Sequence, residues 1–393
     1  MGRIELEPLV LQSKDNDFIR QCHIKRVDSD NQVDTLTLWF QFDKSVTPPS
    51  DDDCDSYLLA IIMDAMSEGR EIYVKGSVSS ELLSNLCEFQ AAWHKWLPNI
   101  YSQIDVKADY IRDDVNKVPG AICAFSGGVD AIFSVWRHSQ SKFSHRSQKI
   151  NFCSIVHGFD IPIEDEAAFN NARNRSQEAL SDLGIELKAI KTNHRQVSRV
   201  NWEHSFSCAL VATLSNFKKS AGTCIVGSGQ PYDSLVIPWG STPITDHLLS
   251  SDAFVAMHDG ASHTRTEKVK DISGWKVGMD SLRVCWEGDL NDRNCGKCEK
   301  CLRTQFNFLV SGLPIPKSFP EGQPNVGKVT FKNDVVRGEW LEIYEVAQKH
   351  CQQEAWMPEL RWMIRRESLK YFMLPKGSLQ RKLVSSIRNR LRR

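Results

Sequence analysis

The stretch AICAFSGGVDAIFSVWRH, residues 121–138, contains the turn that decides the fold of this chain. Its apolar start, 121–125, predicts a buried strand, and the apolar spacing that follows Asp130 predicts a helix. Between them, Gly127 and Gly128 allow the backbone to turn sharply and to approach a ligand closely. The stretch therefore predicts a strand–loop–helix unit whose loop takes part in binding.

Short apolar strands continue to alternate with helices after this loop. The pattern predicts strands at 150–159, 185–192 and 223–229, with helices at 165–184 and 202–222. Such alternation is typical of a parallel sheet that has helices on both faces. Ligands of these sheets bind at the carboxyl ends of the strands, so the site is expected there.

Residues 1–117 have a different pattern, without a catalytic cluster. The segments 34–42 and 71–76 predict strands, whereas 56–69 and 81–97 predict helices, the first of them ending at a glycine cap. We therefore predict a small N-terminal α+β domain ahead of the α/β domain.

The remaining sequence predicts a domain at 118–311 and a helical, basic C-terminal region at 312–393. From 361 to 393 there are eleven Lys and Arg residues and one acid, Glu367. A solvated helical tail is the favoured interpretation, and contact with nucleic acid or an anionic membrane is the alternative. The net charge of the whole chain is zero and indicates no partner.

Composition places the chain among soluble globular proteins. Of its 393 residues, 41% are hydrophobic and 25% charged, which is sufficient for a large core. The first residues lack the pattern of a signal peptide, and no apolar run reaches the length of a membrane span. We therefore expect a cytoplasmic protein, in which clustered cysteines indicate a metal or catalysis more than disulfides.

The SGGVD loop predicts a nucleotide-phosphate site with a divalent cation. Backbone N–H groups of a glycine loop at a helix N-terminus bind phosphate, whereas the carboxylate of Asp130 would repel it unless a cation bridges the two. The expected nucleotide-binding residues are Ser126, Gly127, Gly128, Val129 and Asp130, of which Asp130 and Ser126 are also the catalytic candidates. The alternative is a glycine turn capped by an aspartate. The Walker ending GK[ST] is missing.

A second motif, VCWEGDLNDRNCGKCEKCLRT at 284–304, predicts a metal site. Its cysteines are Cys285, Cys295, Cys298 and Cys301. Two overlapping CxxC units and one cysteine upstream give four thiolates, which are typical of a structural zinc site, and Lys297, Lys300 and Arg303 would offset its negative charge. An iron–sulfur cluster and buried cysteines without metal are the alternatives.

Together, the SGGxD loop and the downstream C-x9-C-x2-C-x2-C spacing resemble the 7-cyano-7-deazaguanine synthases among the PP-loop ATP pyrophosphatases. The resemblance covers 121–309 and implies an adenine-nucleotide alpha-hydrolase-like fold with a zinc knuckle. It also implies ATP, Mg²⁺ and Zn²⁺. In such an enzyme a substrate carboxylate or amide is adenylated, pyrophosphate is released, and a nitrogen nucleophile then displaces AMP.

The resemblance extends to segments between the two motifs. RVNWEHSFSCALVATL, from Arg199, resembles the family's Arg-Asn segment, which implies that Arg199 and Asn201 contact substrate. IVGSGQPYDS resembles the family's strand and polar loop, which places Gly227 at the nucleotide. HTRTEKVKDI resembles a helix start of the family and offers Arg265 and Lys268 as cations.

Two further carboxylates are candidates for substrate contacts. Asp160 follows the predicted strand at 150–159, and Asp246 lies in the long segment 236–252. Each could equally be a cap or a surface residue.

The chain departs from the family at four places. Ala131 stands where the family has Ser or Thr, residues 1–117 have no counterpart in the core enzyme, 236–252 is long, and the family's C-terminus is shorter. These departures imply a changed substrate, or a protein partner that binds through the N-terminal domain. The small-molecule substrate is expected to be a carboxylate or nucleobase-like compound, and attachment of a deazaguanine-type group to a protein is one extension.

Two other functions stay open. A tRNA-modifying or amidotransferase-type PP-loop enzyme is one alternative, although the cysteine pattern does not favour nucleic acid. A nucleotide-binding protein without catalysis is the other, and Ala131 is its main support.

Overall fold

The computed structural model describes residues 2–113, 116–141, 144–285 and 291–373. It shows a mixed α/β fold in which the eleven strands of the described residues form one sheet. The strands are β1 (Arg3–Pro8), β2 (Gln12–Lys14), β3 (Asp17–Val27), β4 (Val33–Asp43), β5 (Glu71–Ser79), β6 (Val106–Arg112), β7 (Ala121–Ala124), β8 (Ile150–His157), β9 (Leu187–Thr192), β10 (Thr223–Gly227) and β11 (Val255–Asp259). The helices are α1 (Asp55–Glu68), α2 (Ser80–Trp96), α3 (Val129–Ser139), α4 (Glu166–Ser181), α5 (His194–Val197), α6 (Trp202–Leu214), α7 (Arg265–Ile272), α8 (Lys276–Asp280), α9 (Glu299–Val310), α10 (Asp334–His350) and α11 (Met357–Met373).

The central part of the sheet has the order β11-β10-β7-β8-β9 and is parallel throughout. The strands predicted at 121–125, 150–159, 185–192 and 223–229 are all confirmed, as are the helices between them. After β7 the chain moves to one side of this strand, and with β10 it returns on the other. The loops that follow β7 and β10 therefore lie side by side at the switch point, where parallel sheets bind ligands.

The N-terminal strands extend the same sheet in the order β9-β4-β3-β1-β5-β6. The junction is antiparallel and pairs Phe40–Phe42 with Ile190–Thr192. The predicted strands at 34–42 and 71–76 and the predicted helices at 56–69 and 81–97 are confirmed. The sheet thus runs across the predicted boundary at 117, and the domain limits themselves stay a prediction.

Helices cover both faces of the sheet. On one face α1, α2 and α6 pack with the strands into a core that includes Phe40, Tyr57 and Phe217. On the other face α3, α4 and α7 surround a second core that includes Phe133 and Val269. Helix α1 is buried over most of its length, and it ends at Gly69, whose φ of 63° confirms the predicted glycine cap.

The C-terminal helices α10 and α11 form a third core together with α9. The Phe306 ring of α9 lies 5.7 Å from the Trp340 ring of α10, centroid to centroid. The predicted helical C-terminal region is thus confirmed as far as Met373, and the rest of the basic tail lies outside the described residues. In the part of the chain that the structure describes, no helix has the length and apolar character needed to cross a membrane.

Candidate functional site

The loop after β7 has the conformation that its glycines permit. Gly127 has a φ of +78°, which side chains other than glycine rarely adopt. Its carbonyl oxygen accepts a hydrogen bond of 2.8 Å from the backbone N–H of Arg283. Helix α3 starts directly afterwards, and no side chain caps it at Gly128. The loop therefore presents a helix N-terminus, the feature that binds phosphate elsewhere.

The first turn of α3 touches the end of β10, as the switch point requires. A Cβ atom added to Gly227 would lie 3.0 Å from the carbonyl oxygen of Asp130. Glycine at this position lets the two loops approach each other. The structure thus brings Gly227 to the predicted nucleotide loop, and its contact with a nucleotide stays a prediction.

Asp130 is held between two cations of α7. Its Oδ2 lies 2.6 Å from Nη2 of Arg265, and its Oδ1 lies 2.9 Å from Nζ of Lys268. Burial raises the pKa of the Asp130 carboxyl, but the two cations outweigh burial and hold the pKa well below its usual range. A divalent cation at Asp130 would have to compete with both side chains, and the predicted Mg²⁺ site stays a prediction.

The cations on α7 are positioned by a capping box. The hydroxyl of Thr264 accepts from the backbone N–H of Glu267, and the Glu267 carboxylate accepts from the backbone N–H of Thr264. This pair fixes the first turn of α7, from which Arg265 and Lys268 project toward Asp130.

Lys300 adds a positive charge that has no direct partner in the described part of the chain. Its ammonium group has neither an ion pair nor a hydrogen bond there. Burial lowers the pKa of Lys300, and Arg265 and Arg303 lower it further, whereas the carboxylates of Asp160 and Asp130 raise it. Arg303 itself is paired with Glu299, at 3.0 Å, and with Glu339. The ammonium group of Lys300 is therefore available to a bound anion.

Asp160, a predicted substrate contact, lies close to a residue that bonds to the loop. Its Oδ2 is 3.8 Å from Nη2 of Arg283, the residue whose backbone bonds to Gly127. The carboxylate is 42% exposed and remains accessible to a ligand. Its contact with substrate stays a prediction.

Asp246 lies in a buried network. Its carboxylate accepts from the Ser241 hydroxyl at 2.6 Å and from the Thr242 backbone N–H at 3.2 Å, and it lies 2.7 Å from Nδ1 of His258. The residue is 0% exposed. These contacts fasten the segment after β10 to β11, and the burial does not favour the predicted substrate contact.

Arg199 and Asn201 secure the start of α6. The Arg199 backbone N–H donates to Asp64 at 2.7 Å, and its guanidinium pairs with exposed Asp34. The Asn201 side chain caps α6 by accepting from the Glu203 backbone N–H at 3.0 Å. The structure accounts for both residues through these contacts, and their predicted substrate contacts stay predictions.

Sequence reasoning missed four aromatic side chains at the same edge of the sheet, here called the aromatic row. They are Phe159, Trp202, Phe206 and Trp239. Their successive ring centroids are 5.0, 6.3 and 6.2 Å apart, and each ring is partly exposed. The Arg195 guanidinium lies 4.3 Å from the centroid of the Trp202 ring. Aromatic rings of this kind stack on planar groups. The sequence signal for them was the presence of aromatic residues at the predicted strand ends and helix start.

The four predicted metal ligands come together at the start of α9. Sγ of Cys285 is 3.7 Å from Sγ of Cys298, and Sγ of Cys295 is 3.9 Å from Sγ of Cys301. A tetrahedral zinc ion with Zn–S bonds of about 2.3 Å requires sulfur atoms about 3.8 Å apart. The cluster could therefore hold a metal ion such as zinc, and its dimensions favour one ion over a cluster of several irons.

The thiols of this cluster influence one another. Contact with Cys285 raises the pKa of Cys298 to about 12, and binding of a metal ion would displace the thiol protons. The backbone N–H groups of Cys298 and Cys301 donate to Cys295 and Cys298 sulfurs at 3.3 and 3.4 Å, a pattern suited to thiolates.

The cysteine cluster is connected along the chain to the residues around the loop after β7. Arg283, which bonds to Gly127, comes two residues before Cys285. Lys300 and Arg303 belong to α9, whose N-cap is Cys298. A metal held by the cysteines would therefore fix the two segments that carry these cations.

Comparisons of the chain with family models, with curated proteins and with solved structures found no match.

Proposed function

We propose that this chain is an ATP-dependent ligase of the PP-loop type. Such a ligase activates a substrate carboxylate as an ester of AMP and then transfers the acyl group to a nitrogen nucleophile. The observation that carries the proposal is the ammonium group of Lys300, which has no direct partner in the described part of the chain and is close enough to feel Asp130 at the N-terminus of α3. A glycine loop, a helix N-terminus and an available cation at a switch point together suit a polyphosphate.

The residues of this chain fit the phosphates of ATP. Backbone N–H groups of the loop and of the first turn of α3 would donate to phosphate oxygens. Lys300, Arg265 and Lys268 would supply positive charge, and Asp130 would keep the last two in place. Mg²⁺, when bound, would neutralise phosphate charge, and Asp130 is the residue predicted to hold it.

The cations would also serve the chemical step. As the substrate carboxylate attacks the α-phosphorus and pyrophosphate leaves, negative charge builds up on the phosphoryl oxygens. Donors that are already in position stabilise such charge without reorganisation. The many ion pairs of Arg265 and Arg303 hold these side chains in place before substrate binds.

The aromatic row supports a planar substrate. It begins at Phe159, next to Asp160, so a stacked heterocycle would lie beside an accessible carboxylate that accepts N–H donors. A heterocycle with a carboxylate, such as 7-carboxy-7-deazaguanine, meets both requirements. Attachment of the activated group to a protein amine is compatible with the same chemistry.

Product analysis tests this proposal. The purified chain is incubated with ATP, Mg²⁺, ammonium and 7-carboxy-7-deazaguanine, and nucleotide products are separated. We expect AMP and pyrophosphate from the native chain and at least tenfold less from Asp130→Asn, because the cations lose their carboxylate. Asp271→Asn, on the exposed side of α7, is the matched control. Hydrolysis to ADP, or equal AMP from Asp130→Asn, would contradict the proposal.

One observation favours a second function, nucleotide binding without catalysis. Ala131 is buried in the first turn of α3 and supplies no hydroxyl where the family has one. ATP binding without any AMP, for every carboxylate offered, would support this alternative.

A further inference from the structure

A small cavity is lined in part by Arg265, the residue that pairs with Asp130. Its walls come from the loop after β10, including Gln230, from the start of α7, from Asn307 of α9, and from Glu339 and Glu342 of α10. Its volume is about 40 Å³. A water molecule needs at least about 10–15 Å³, so the cavity has room for a group of two or three heavy atoms.

Two buried amide groups at this cavity lack a hydrogen-bond acceptor among the described residues. They are Nε2 of Gln230, a residue 6% exposed, and Nδ2 of Asn307, a residue 1% exposed. The side-chain Oε1 of Gln230 accepts a hydrogen bond of 2.6 Å from the Val236 backbone N–H. Unsatisfied buried donors are costly, which indicates that a bound group with acceptor oxygens completes them.

The cavity also contains a carboxyl group without a cation. Glu339 is paired with Arg265 and Arg303, whereas no ion pair reaches Glu342 in the described part of the chain. Glu342 accepts a hydrogen bond of 2.8 Å from the Thr266 hydroxyl. Burial raises the pKa of Glu342, and Glu339 and Glu267 raise it further, whereas hydrogen bonds with Thr266 and Thr264 lower it.

The carboxylate of Glu342 suits an amine, and the two amide donors suit the carbonyl oxygen of the group that the amine attacks. We propose that this cavity binds the nitrogen nucleophile, ammonium or a small primary amine, and that Glu342 is its general base. The inference rests on the proposed ligase function. Helix α10 lies beyond 121–309, so this part of the site belongs to the C-terminal region of this chain.

The proton transfers balance as follows. The Glu342 carboxylate takes one proton from the ammonium group, and the neutral nitrogen forms a C–N bond to the carbonyl carbon of the AMP ester. The C–O bond to AMP breaks and its electron pair leaves with the phosphate. A second nitrogen proton is lost to water as the amide forms. The amides of Gln230 and Asn307 donate to the carbonyl oxygen, on which negative charge develops.

The test separates activation of the carboxylate from transfer to nitrogen. Glu342→Gln is compared with the native chain and with Glu345→Gln, an exposed position of the same helix. Activation is measured by exchange of labelled pyrophosphate into ATP with 7-carboxy-7-deazaguanine and no amine. Transfer is measured with ammonium and, separately, with hydroxylamine, which is largely unprotonated at neutral pH and needs no base.

We expect Glu342→Gln to retain exchange and transfer to hydroxylamine, and to lose transfer to ammonium by about 100-fold or more. Glu345→Gln should match the native chain in all three assays. Native transfer to ammonium by Glu342→Gln, or equal losses with both nucleophiles, would overturn this inference alone. Absence of pyrophosphate exchange in the native chain would overturn the proposed function and this inference with it.

Discussion

At the scale of single residues, Lys300 connects stability to binding. Burial lowers the pKa of Lys300 despite the opposing effect of Asp160 and Asp130, and a lysine with a lowered pKa destabilises the folded chain while it is charged. The cost is fully present at pH values below the folded-state pKa. It fades as the pH rises through that pKa toward the unfolded-state value.

Lys300→Met therefore has opposite effects on stability and on binding. We expect a higher free energy of unfolding at neutral pH, with a gain that shrinks at alkaline pH, measured by urea titration without nucleotide. We also expect ATP to bind about tenfold more weakly or worse, measured by calorimetry. Lys349→Met, at an exposed position of α10, is the control. Unchanged ATP affinity in Lys300→Met would remove this residue from the site.

The sequence indicated which residues are candidates for the site, but it did not indicate which of them contact one another. Asp130 was identified from the loop motif alone, and the cations Arg265 and Lys268 from a second segment. Their contact could not be predicted, because it depends on how α7 packs against α3. For the same reason the burial of Asp246 and the lack of a direct partner for Lys300 in the described part of the chain became visible only in the fold.

At the scale of elements, the cysteine cluster links two segments that contribute to the site. Cys285 ends the 281–285 segment, in which the Arg283 backbone N–H donates to Gly127. Cys298 is the N-cap of α9, which carries Lys300. Spacing alone predicted the ligand set, because CxxC units bring their own thiols together. The contact between the segment before Cys285 and the loop after β7 is a tertiary contact, and spacing alone could not predict it.

Removing one sulfur should therefore affect metal and nucleotide together. In Cys298→Ser we expect loss of the metal, a lower Tm, and ATP binding at least tenfold weaker, because Arg283 and Lys300 lose their support. Metal content by elemental analysis, Tm by calorimetry and ATP affinity are measured on the same preparation. Cys87→Ser, at an exposed position outside the cluster, should change none of them. Normal ATP binding in metal-free Cys298→Ser would contradict the link.

At the scale of the whole molecule, the sheet joins segments that the sequence separates. Periodicity predicted β4, β5 and the strands β7 to β10, because alternation and apolar runs are local signals. It left out β1, β2, β3, β6 and β11. It also gave no partner for β4, since pairing with β9 joins residues about 150 positions apart. A boundary near 117 was the natural interpretation of a change in pattern.

Buried charges cross this boundary as well. Lys218, just after α6, lies against the carboxylates of Asp53 and Asp55, and all three side chains are less than 10% exposed. Arg20 of β3 donates to the Asn216 side chain at 2.7 Å. Burial raises the pKa of Asp55, whereas Lys218, Arg112 and Arg20 hold the pKa of Asp53 below its usual value despite its burial. The two regions therefore depend on each other for neutralisation of their charges.

The chain should consequently unfold as one unit, and Lys218→Met should destabilise both regions. Removing one member of a buried ion pair leaves a carboxylate uncompensated, which costs about 3–5 kcal/mol. We expect calorimetry to show one transition in the native chain and one at lower temperature in Lys218→Met. Lys219→Met changes the exposed neighbour and should leave the transition in place. Two separate native transitions, of which Lys218→Met moves only one, would instead establish residues 1–117 as an independent domain and restore the boundary that the sequence predicts.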